Sequence, residues 1–249
     1  MPAQLLRRLT GRDRTLRANR QLGCLLAFVA GAVTAGGFLA VQRYTSHMRG
    51  IISSIADQLV LGAPWLALAA LVSLAAFMAG AVTTTLLILW ARRRAMHSEY
   101  ALSLMLEAVL LLVFGLMGAN LHLWTEFLVP GTVLLLCFIM GLQNAVVTKI
   151  SNAEIRTTHM TGVVTDLAIE LGRLLYWNRD GAPPSALPVQ ANRERLVVLA
   201  TLLTLFLIGS LVGAVAFQRI GFAATVPIAA FLMAIALIPV LDDLTATRR

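Results

Sequence analysis

Six apolar runs, each long enough to cross a lipid bilayer, dominate this sequence of 249 residues. A helix of about 20 apolar residues spans the hydrocarbon core, and each run must be helical because lipid offers the backbone no hydrogen-bond partners. Charged residues make up 13% of the chain, against about 25% in a typical soluble domain. The runs are residues 22–41, 65–90, 101–119, 131–148, 196–217 and 222–241. The sequence therefore predicts an all-α, multi-pass membrane protein with six transmembrane helices.

The positively charged residues are distributed unevenly around these runs. All but three of the 20 Lys and Arg residues lie before run one, between runs two and three, between runs four and five, or after run six. If the six helices alternate in direction, these segments share one side, whereas Arg43, Arg49 and Arg219 lie on the other. Cytoplasmic loops carry the excess of positive charge, so both termini are predicted to be cytoplasmic. The net charge of +8 then reflects topology and contact with the lipid bilayer, and we expect no nucleic-acid partner.

Two similar polar segments interrupt the apolar pattern. They read YTSHMRGIISSIADQLVLG at residues 44–62 and RTTHMTGVVTDLAIELGRLL at residues 156–175. The apolar residues that follow each His-Met pair recur with a helical period, but about a dozen residues reach only about 18 Å, too short to span. Each segment therefore either folds into the membrane partway as a re-entrant helix or lies flat at its surface. We favour the inward placement because the same polar cluster occurs in both halves.

The similarity between the halves extends beyond these segments. GAVTA at residues 31–35 is similar to GLQNA at 141–145, and FMAG at 77–80 is similar to FLIG at 206–209. The chain is thus divided into a basic segment (residues 1–21), a first three-span repeat (22–119) and a second (131–241), which contains a connector at 176–195. An odd number of spans per repeat inverts the second copy relative to the first. Inverted repeats are characteristic of secondary transporters, whose sites form where the repeats meet.

The central motif resembles a known family. MGLQNAVVTKISNAEIRTTHMTGVVTDLAIELGRLL (residues 140–175) is similar to the second-half motif of the YoaK family, six-span bacterial inner-membrane proteins built on a domain of unknown function. TSHMRG at residues 45–50 resembles that family's first-half motif. The resemblance implies a location in the bacterial inner membrane and assigns no activity. This chain departs from the family pattern at Thr34, Arg49 and Ile51, where the family often has Asp, a small hydroxyl residue and Asn.

Candidate binding residues cluster in and around the two His-Met segments. Hydroxyl groups and helix N-termini donate hydrogen bonds, and arginine and protonated histidine carry positive charge, so together they favour a small anionic solute. The alternative is that the same cations contact lipid phosphates. The residues are Thr45, Ser46, His47, Arg49, Gln143, Asn144, Arg156, Thr157, Thr158, His159 and Thr161. No acid or cysteine stands at metal-ligand spacing from either histidine, so we expect no metal and no other cofactor.

Other polar residues have both a structural and a functional interpretation. Glu107 is the one acid inside a run; it either serves function or reaches the arginines at 92–94, and we favour the latter. Gln143 and Asn144 either bond between helices or line a pathway. For Asp166 and Glu170 we favour a solvated helix face, with Glu170 able to pair with the arginine three residues later.

Glycine and proline predict where the helices break. Gly50 and Gly162 are expected to let the chain break and restart as a helix, with Thr161 as the N-cap of the second short helix. Pro227 and Pro239 are expected to kink the sixth helix.

The function predicted from these features is a small secondary transporter or channel with a site at the interface of the repeats. The alternative is a non-transporting scaffold, lipid-binding or regulatory membrane protein. We expect no enzyme, because the sequence contains no nucleophile elbow, phosphate-binding loop or paired catalytic acids at known spacing.

Overall fold

The computed structural model describes residues 16–41, 45–94, 96, 99–120, 125–150, 160–176 and 189–246. Within these ranges the chain forms α-helices and one 3₁₀ turn, without β-strands, which confirms the all-α prediction. The helices are α1 (Leu16–Val41), α2 (Met48–Val60), α3 (Pro64–Arg93), α4 (Ala101–Ala119), α5 (Thr125–Ile150), α6 (Met160–Leu175), α7 (Arg193–Ile220) and α8 (Thr225–Ala246), with the 3₁₀ turn at Gly221–Ala224.

Within the described residues, five helical segments are long and apolar enough to cross a membrane. The first four lie within α1, α3, α4 and α5. The fifth, Arg193–Leu237, is 45 residues long and comprises α7, the 3₁₀ turn and most of α8. A straight helix of that length would measure about 68 Å, more than twice the hydrocarbon thickness. The chain turns instead at Gly221, whose φ of 58° suits glycine. These segments make the protein a multi-pass helical membrane protein.

The α1 helix packs most extensively on α7, and glycines set the distance between the two. A methyl group at Gly31 would collide with the carbonyl oxygen of Phe206, and one at Gly209 would collide with that of Phe28. Backbones approach this closely only where small residues face each other, as is common between membrane helices.

The α3 and α5 helices form a second crossing of the same kind. A methyl group at Gly80 would collide with the carbonyl oxygen of Phe138, and one at Gly141 would collide with that of Phe77. The two crossings, together with a contact between α1 and α5, build the core of the bundle.

The α4 helix packs on α8 and on the 3₁₀ turn. Gly115 lies against the side chain of Thr225, and Gly118 against the ring of Phe222. The same ring makes an edge-to-face contact with Phe114, with the two centroids 5.6 Å apart. These contacts join α4, the last helix of the first half, to α8, the last helix of the second.

Pro227 does not produce the predicted kink. It is the third residue of α8, within the first helical turn, where no backbone N–H is needed and proline is tolerated. The side chain of Pro239 lies outside the described residues. Pro130 is inside α5, which begins six residues before the predicted span, at Thr125.

The two short helices each pack on the long helix that follows, α2 on α3 and α6 on α7. A three-residue connection ending at Ala63 joins α2 to α3, and Gly62 supplies its positive φ of 72°. The short connection makes α2 and α3 an antiparallel hairpin. No residue of α2 is fully buried, whereas α6 buries Val163 and Glu170.

Candidate functional site

The first polar segment folds back alongside α1. Ser46 Oγ lies 3.4 Å from Thr34 Oγ1, and Thr45 beside it is 3% exposed. Because α1 continues for seven residues beyond Thr34, to Val41, Ser46 lies about 10 Å back from the end of that helix. The contact brings residues 45–46 back alongside α1, and the inward placement of the whole segment in the membrane stays a prediction. α2 then runs outward again to its connection with α3.

Three elements meet at Thr34. Its hydroxyl also lies 3.6 Å from Met140 Sδ of α5, so α1, α5 and residues 45–46 converge there. Gln143 and Asn144 lie within about one turn of Met140; Gln143 is fully buried and Asn144 is half-buried. We name Thr34, Thr45, Ser46 and Met140 the Thr34 cluster. Four predicted site residues thus lie in one region of the bundle: Thr45 and Ser46 belong to the cluster, and Gln143 and Asn144 lie beside it.

His47 and Arg49 lie at the start of α2, and both are exposed. His47 occupies the N-cap position without capping the helix through its side chain. Its imidazole ring fills the space that a methyl group would need at Gly50. Gly50 is therefore not the helix break predicted from the sequence: it lies in the first turn of α2 and makes room for the histidine. Together with Ser54 these residues line a cleft of about 330 Å³, whose lining residues are His47, Gly50, Ile51, Ser54, Gln58, Leu66 and Ala70.

The second polar segment is described only from Met160 onward. Arg156, Thr157, Thr158 and His159 lie outside the described residues. Gly162 lies within the first turn of α6 with helical backbone, and no described residue would contact a methyl group added there, so it is not a break either. Thr161 is likewise inside the helix, where its carbonyl accepts a hydrogen bond from Thr165 Oγ1, and it is not the N-cap.

Ionic contacts join the start of α7 to α6 and to α1. Arg195 Nη2 donates to Asp166 Oδ2 at 2.9 Å, and Arg20 pairs with Glu194. These residues line a cleft of about 370 Å³. We name it the α6–α7 cleft; it is lined by Arg20, Asp166, Asn192, Glu194, Arg195, Val198, Leu199 and Leu202. Both charged pairs are partly exposed, so each contributes about 1 kcal/mol or less.

Glu170 is buried, at 1% exposure, and does not belong to the predicted solvated face. Its carboxylate accepts the backbone N–H of Asn192 at 2.8 Å and the guanidinium of Arg173 at 2.9 Å. The Arg173 pair is confirmed, but the bond to Asn192 is the one that crosses between helices. Asn192 in turn caps α7, its side chain accepting the N–H of Arg195 at 3.0 Å.

Glu107 neither reaches solvent nor pairs with the arginines at 92–94, so the favoured sequence interpretation is wrong. Its side chain is 0% exposed, and both carboxylate oxygens lack a partner in the described part of the chain. Arg92 instead donates to Glu99 Oε2 at 2.7 Å and to the hydroxyl of Tyr100 at 2.9 Å. Arg94 lies over the ring of Trp90.

Metal-ligating side chains are scattered in the described ranges, where no group of three or more His, Cys, Asp or Glu could hold an ion. Cys24 and Cys137 are both free thiols.

Two polar contacts of the bundle were not predicted from the sequence, the hydrogen bond of Thr84 to α5 and the capping of α7 by Asn192. Thr84 is fully buried and donates to the carbonyl oxygen of Leu142 at 3.0 Å, which links α3 to α5. A threonine in an apolar run carries no signal of its partner. Asn192 had a usable signal, because an asparagine directly before a helical run is a typical N-cap.

The fold and its polar contacts define the class of protein: a multi-pass α-helical membrane protein with two short amphipathic helices, each packed on the long helix that follows. Residues 22–238 match the family described as a protein of unknown function, DUF1275. The match covers most of the 249 residues, and the chain belongs to this family. YoaK proteins, which residues 140–175 resemble, are members of it. No curated protein and no solved structure matches the chain.

Proposed function

We propose that this protein is a small secondary transporter or channel built from two inverted three-span repeats, residues 22–119 and 131–241. One observation carries the proposal: the halves exchange packing partners. The first long helix of each half packs most extensively on the second long helix of the other, α1 on α7 and α5 on α3. The third helices, α4 and α8, pack on each other. A pseudo-two-fold relation between the halves would produce this pattern.

The residues at the two crossings correspond in the sequence repeat. Aligning GAVTA with GLQNA, and FMAG with FLIG, places Gly31 opposite Gly141 and Gly80 opposite Gly209. Each of these glycines faces a phenylalanine carbonyl in the opposite half. The equivalent contacts are Gly31 with Phe206, Gly141 with Phe77, Gly80 with Phe138, and Gly209 with Phe28. The agreement between repeat and contacts supports two copies of one unit.

The directions of the helices support six crossings. Phe28 and Ala32 of α1 face Gly209 and Gly213 of α7, so both helices advance together and run parallel. The contacts between α3 and α5 also advance together, from the cleft that Ser73 and Leu134 line to the hydrogen bond between Thr84 and Leu142. Those between α4 and α8 run in opposite directions. Six alternating spans give these relations. With the distribution of positive charge, they favour cytoplasmic termini in a bacterial inner membrane.

The substrate class that the polar residues favour is a small anion. The Thr34 cluster supplies hydroxyl donors where the two halves meet, and α2 begins two residues after Ser46. Arg49 and His47 add cationic groups at the same helix start, where the macrodipole also favours an anion. Residues 156–159 carry the equivalent groups of the second half in the sequence, which would give the site two-fold character.

A non-transporting scaffold or lipid-binding protein is the second candidate. The closely packed glycine crossings favour it, because backbones in such contact resist separation. The exposed Arg49 could then serve lipid phosphates.

Transport is tested by reconstituting the purified protein into liposomes after a thermal-shift screen against carboxylates, phosphate and other small anions. A specific ligand should raise the melting temperature with concentration by mass action. Uptake of that anion into protein liposomes, above empty liposomes, is the expected result. A ligand that binds without uptake would favour the lipid-binding or regulatory role, and stabilisation by cations alone would contradict the anion proposal.

The histidines are tested by the pH dependence of anion binding. His47→Ala and His159→Ala should each weaken binding roughly tenfold at pH 5.5 and much less at pH 8, because only the protonated ring adds charge. His97→Ala, outside both polar segments, is the matched control. If both variants bind the anion with the wild-type pH profile, the histidines are not part of the site.

A further inference from the structure

Glu107 is an acid in the interior of the helix bundle. Its side chain is 0% exposed, and neither carboxylate oxygen has a hydrogen-bond partner among the described residues. It lies on the inward face of α4, opposite the exposed side chains of Val109, Val113 and Leu116. An ionised, unpartnered carboxylate is costly in such a place, because no nearby charge replaces its hydration.

Two further buried polar side chains of α4 and α5 also lack partners among the described residues. Ser103 lies one turn before Glu107 on the same face of α4, and no described residue bonds to its hydroxyl. On α5, Gln143 is 0% exposed, and neither of its amide atoms has a partner in the described part of the chain. Three unsatisfied polar groups in one packed pair of helices are unusual, since nearly all buried polar groups find partners.

The register of α4 and α5 brings Gln143 to the level of Glu107. The two helices pack together, and the terminal methyl of Met117 lies against Gly131. They run antiparallel because only a short connection joins them. Glu107 precedes Met117 by ten residues, and Gln143 follows Gly131 by twelve. In antiparallel helices both therefore lie in the same direction from the Met117–Gly131 contact, and their distances from it differ by two residues. The side chains of Glu107 and Gln143 therefore originate within about 3 Å of each other along the bundle axis.

The basic groups on neighbouring elements do not provide the missing charge. Between Thr225 and Leu241 of α8, and in the 3₁₀ turn, the sequence has no titratable residue. On α3, Arg92 is bonded to Glu99 and Arg93 is exposed. On α5, Lys149 is exposed, and the thiol of Cys137 brings no positive charge.

We propose that Glu107, Ser103 and Gln143 form an intramembrane site for one small monovalent cation, H⁺ or Na⁺, which neutralises the carboxylate. Two carboxylate oxygens, one hydroxyl and one amide oxygen are the hard ligands that such a cation prefers. A single acid balances a single positive charge. In a transporter, ionisable groups buried within the membrane mark ion and proton pathways, so this site would couple transport to a cation gradient.

The site is tested on the purified full-length protein without any anion present, so its failure and that of the transport proposal are distinguishable. Melting temperatures are measured between pH 5 and 8, in NaCl and in choline chloride of equal ionic strength, for wild type, Glu107→Gln and Asp57→Asn. Asp57 is an exposed acid of α2 and serves as the control. Glu107→Gln keeps the size of the side chain and makes it permanently neutral.

The two cations give different results. If the site takes H⁺, the melting temperature of the wild type falls by several degrees as pH rises, because only the folded state holds the proton. If it takes Na⁺, the melting temperature rises with NaCl at fixed pH. Glu107→Gln should lose the response and Asp57→Asn should keep it. Equal responses in wild type and Glu107→Gln would overturn the proposal.

A second measurement on the wild type alone covers the case in which Glu107→Gln fails to fold. Dicyclohexylcarbodiimide, an apolar reagent, adds to protonated carboxyl groups, and mass spectrometry locates the adduct. Modification of Glu107 that decreases with rising pH identifies H⁺, and protection by NaCl but not choline chloride identifies Na⁺. Absence of modification at Glu107, or modification insensitive to both pH and Na⁺, would contradict the site.

Discussion

At the scale of single residues, five glycines at the α1–α7 and α3–α5 crossings let helix backbones touch. A glycine is visible in the sequence, but the atom that it faces is not. Gly50 illustrates the difference, because its role is to accommodate the ring of His47 three residues earlier. Gly162 holds the equivalent place in the sequence repeat, and no atom of the described residues lies near an added methyl group there.

Substitution at the crossing should separate the helices. Gly80→Ala places a methyl group against the carbonyl oxygen of Phe138, a backbone atom that cannot rotate away. We expect a loss of about 1–3 kcal/mol in the free energy of unfolding, as in other overpacked interiors. Gly172→Ala is the control, because this glycine of α6 has no atom near its added methyl group and alanine favours a helix by about 1 kcal/mol. Denaturant unfolding in mixed micelles, followed by circular dichroism, compares the two. A Gly80→Ala protein as stable as Gly172→Ala would refute the close contact.

At the scale of elements, apolar length predicted the long helices well, because lipid makes an unbroken helix obligatory. The run at 101–119 coincides with α4. The short helices were recognisable from their period, but their surroundings were not. Glu170 has the sequence appearance of a solvated acid, and it is buried because Asn192, 22 residues later, offers its backbone N–H. The aligned position in α2 is Gln58, and Ser54 likewise aligns with Asp166. The cleft beside α2 therefore lacks the ionic contacts of the α6–α7 cleft.

These contacts predict a difference between two acids of α6. Glu170→Gln removes the buried charge that holds α6 to the start of α7, whereas Asp166→Asn removes a partly exposed pair. Truncating a buried charged hydrogen bond costs about 1–3 kcal/mol, and a surface pair about 1 kcal/mol or less. Hydrogen–deuterium exchange of the α6 amides should therefore accelerate in Glu170→Gln and change little in Asp166→Asn. The amides of α2 are the internal reference. Equal exchange in the two variants would show that the contact with Asn192 does not anchor α6.

At the scale of the whole molecule, the paired crossings connect each half to the other more extensively than to itself. Three spans per unit bring the chain to the opposite side of the membrane, so a second copy in the same orientation as the first would need an even number of spans per unit. The parallel contacts of α1 with α7, and of α3 with α5, instead suit alternating spans. The sequence motifs predicted the repeat, but only the contacts tell which helices of the two halves pack on each other.

The orientation of the molecule in the membrane follows from its charge and can be measured directly. Reporter domains that are active on only one side of the membrane are fused after Arg249 and inserted within residues 120–124. With six alternating spans and the excess of Lys and Arg inside, the C-terminal fusion should report the cytoplasm and the insertion the outer side. Five spans would place the two termini on opposite sides of the membrane, because α7 and α8 together would then make a single crossing of the bilayer. An external C-terminus combined with a cytoplasmic N-terminus would therefore exclude the six-span arrangement and, with it, the inverted repeats. Replacing Arg92, Arg93 and Arg94 together by alanine tests the cause, since the positive-inside rule predicts a weaker orientation preference in that variant while the number of spans stays the same.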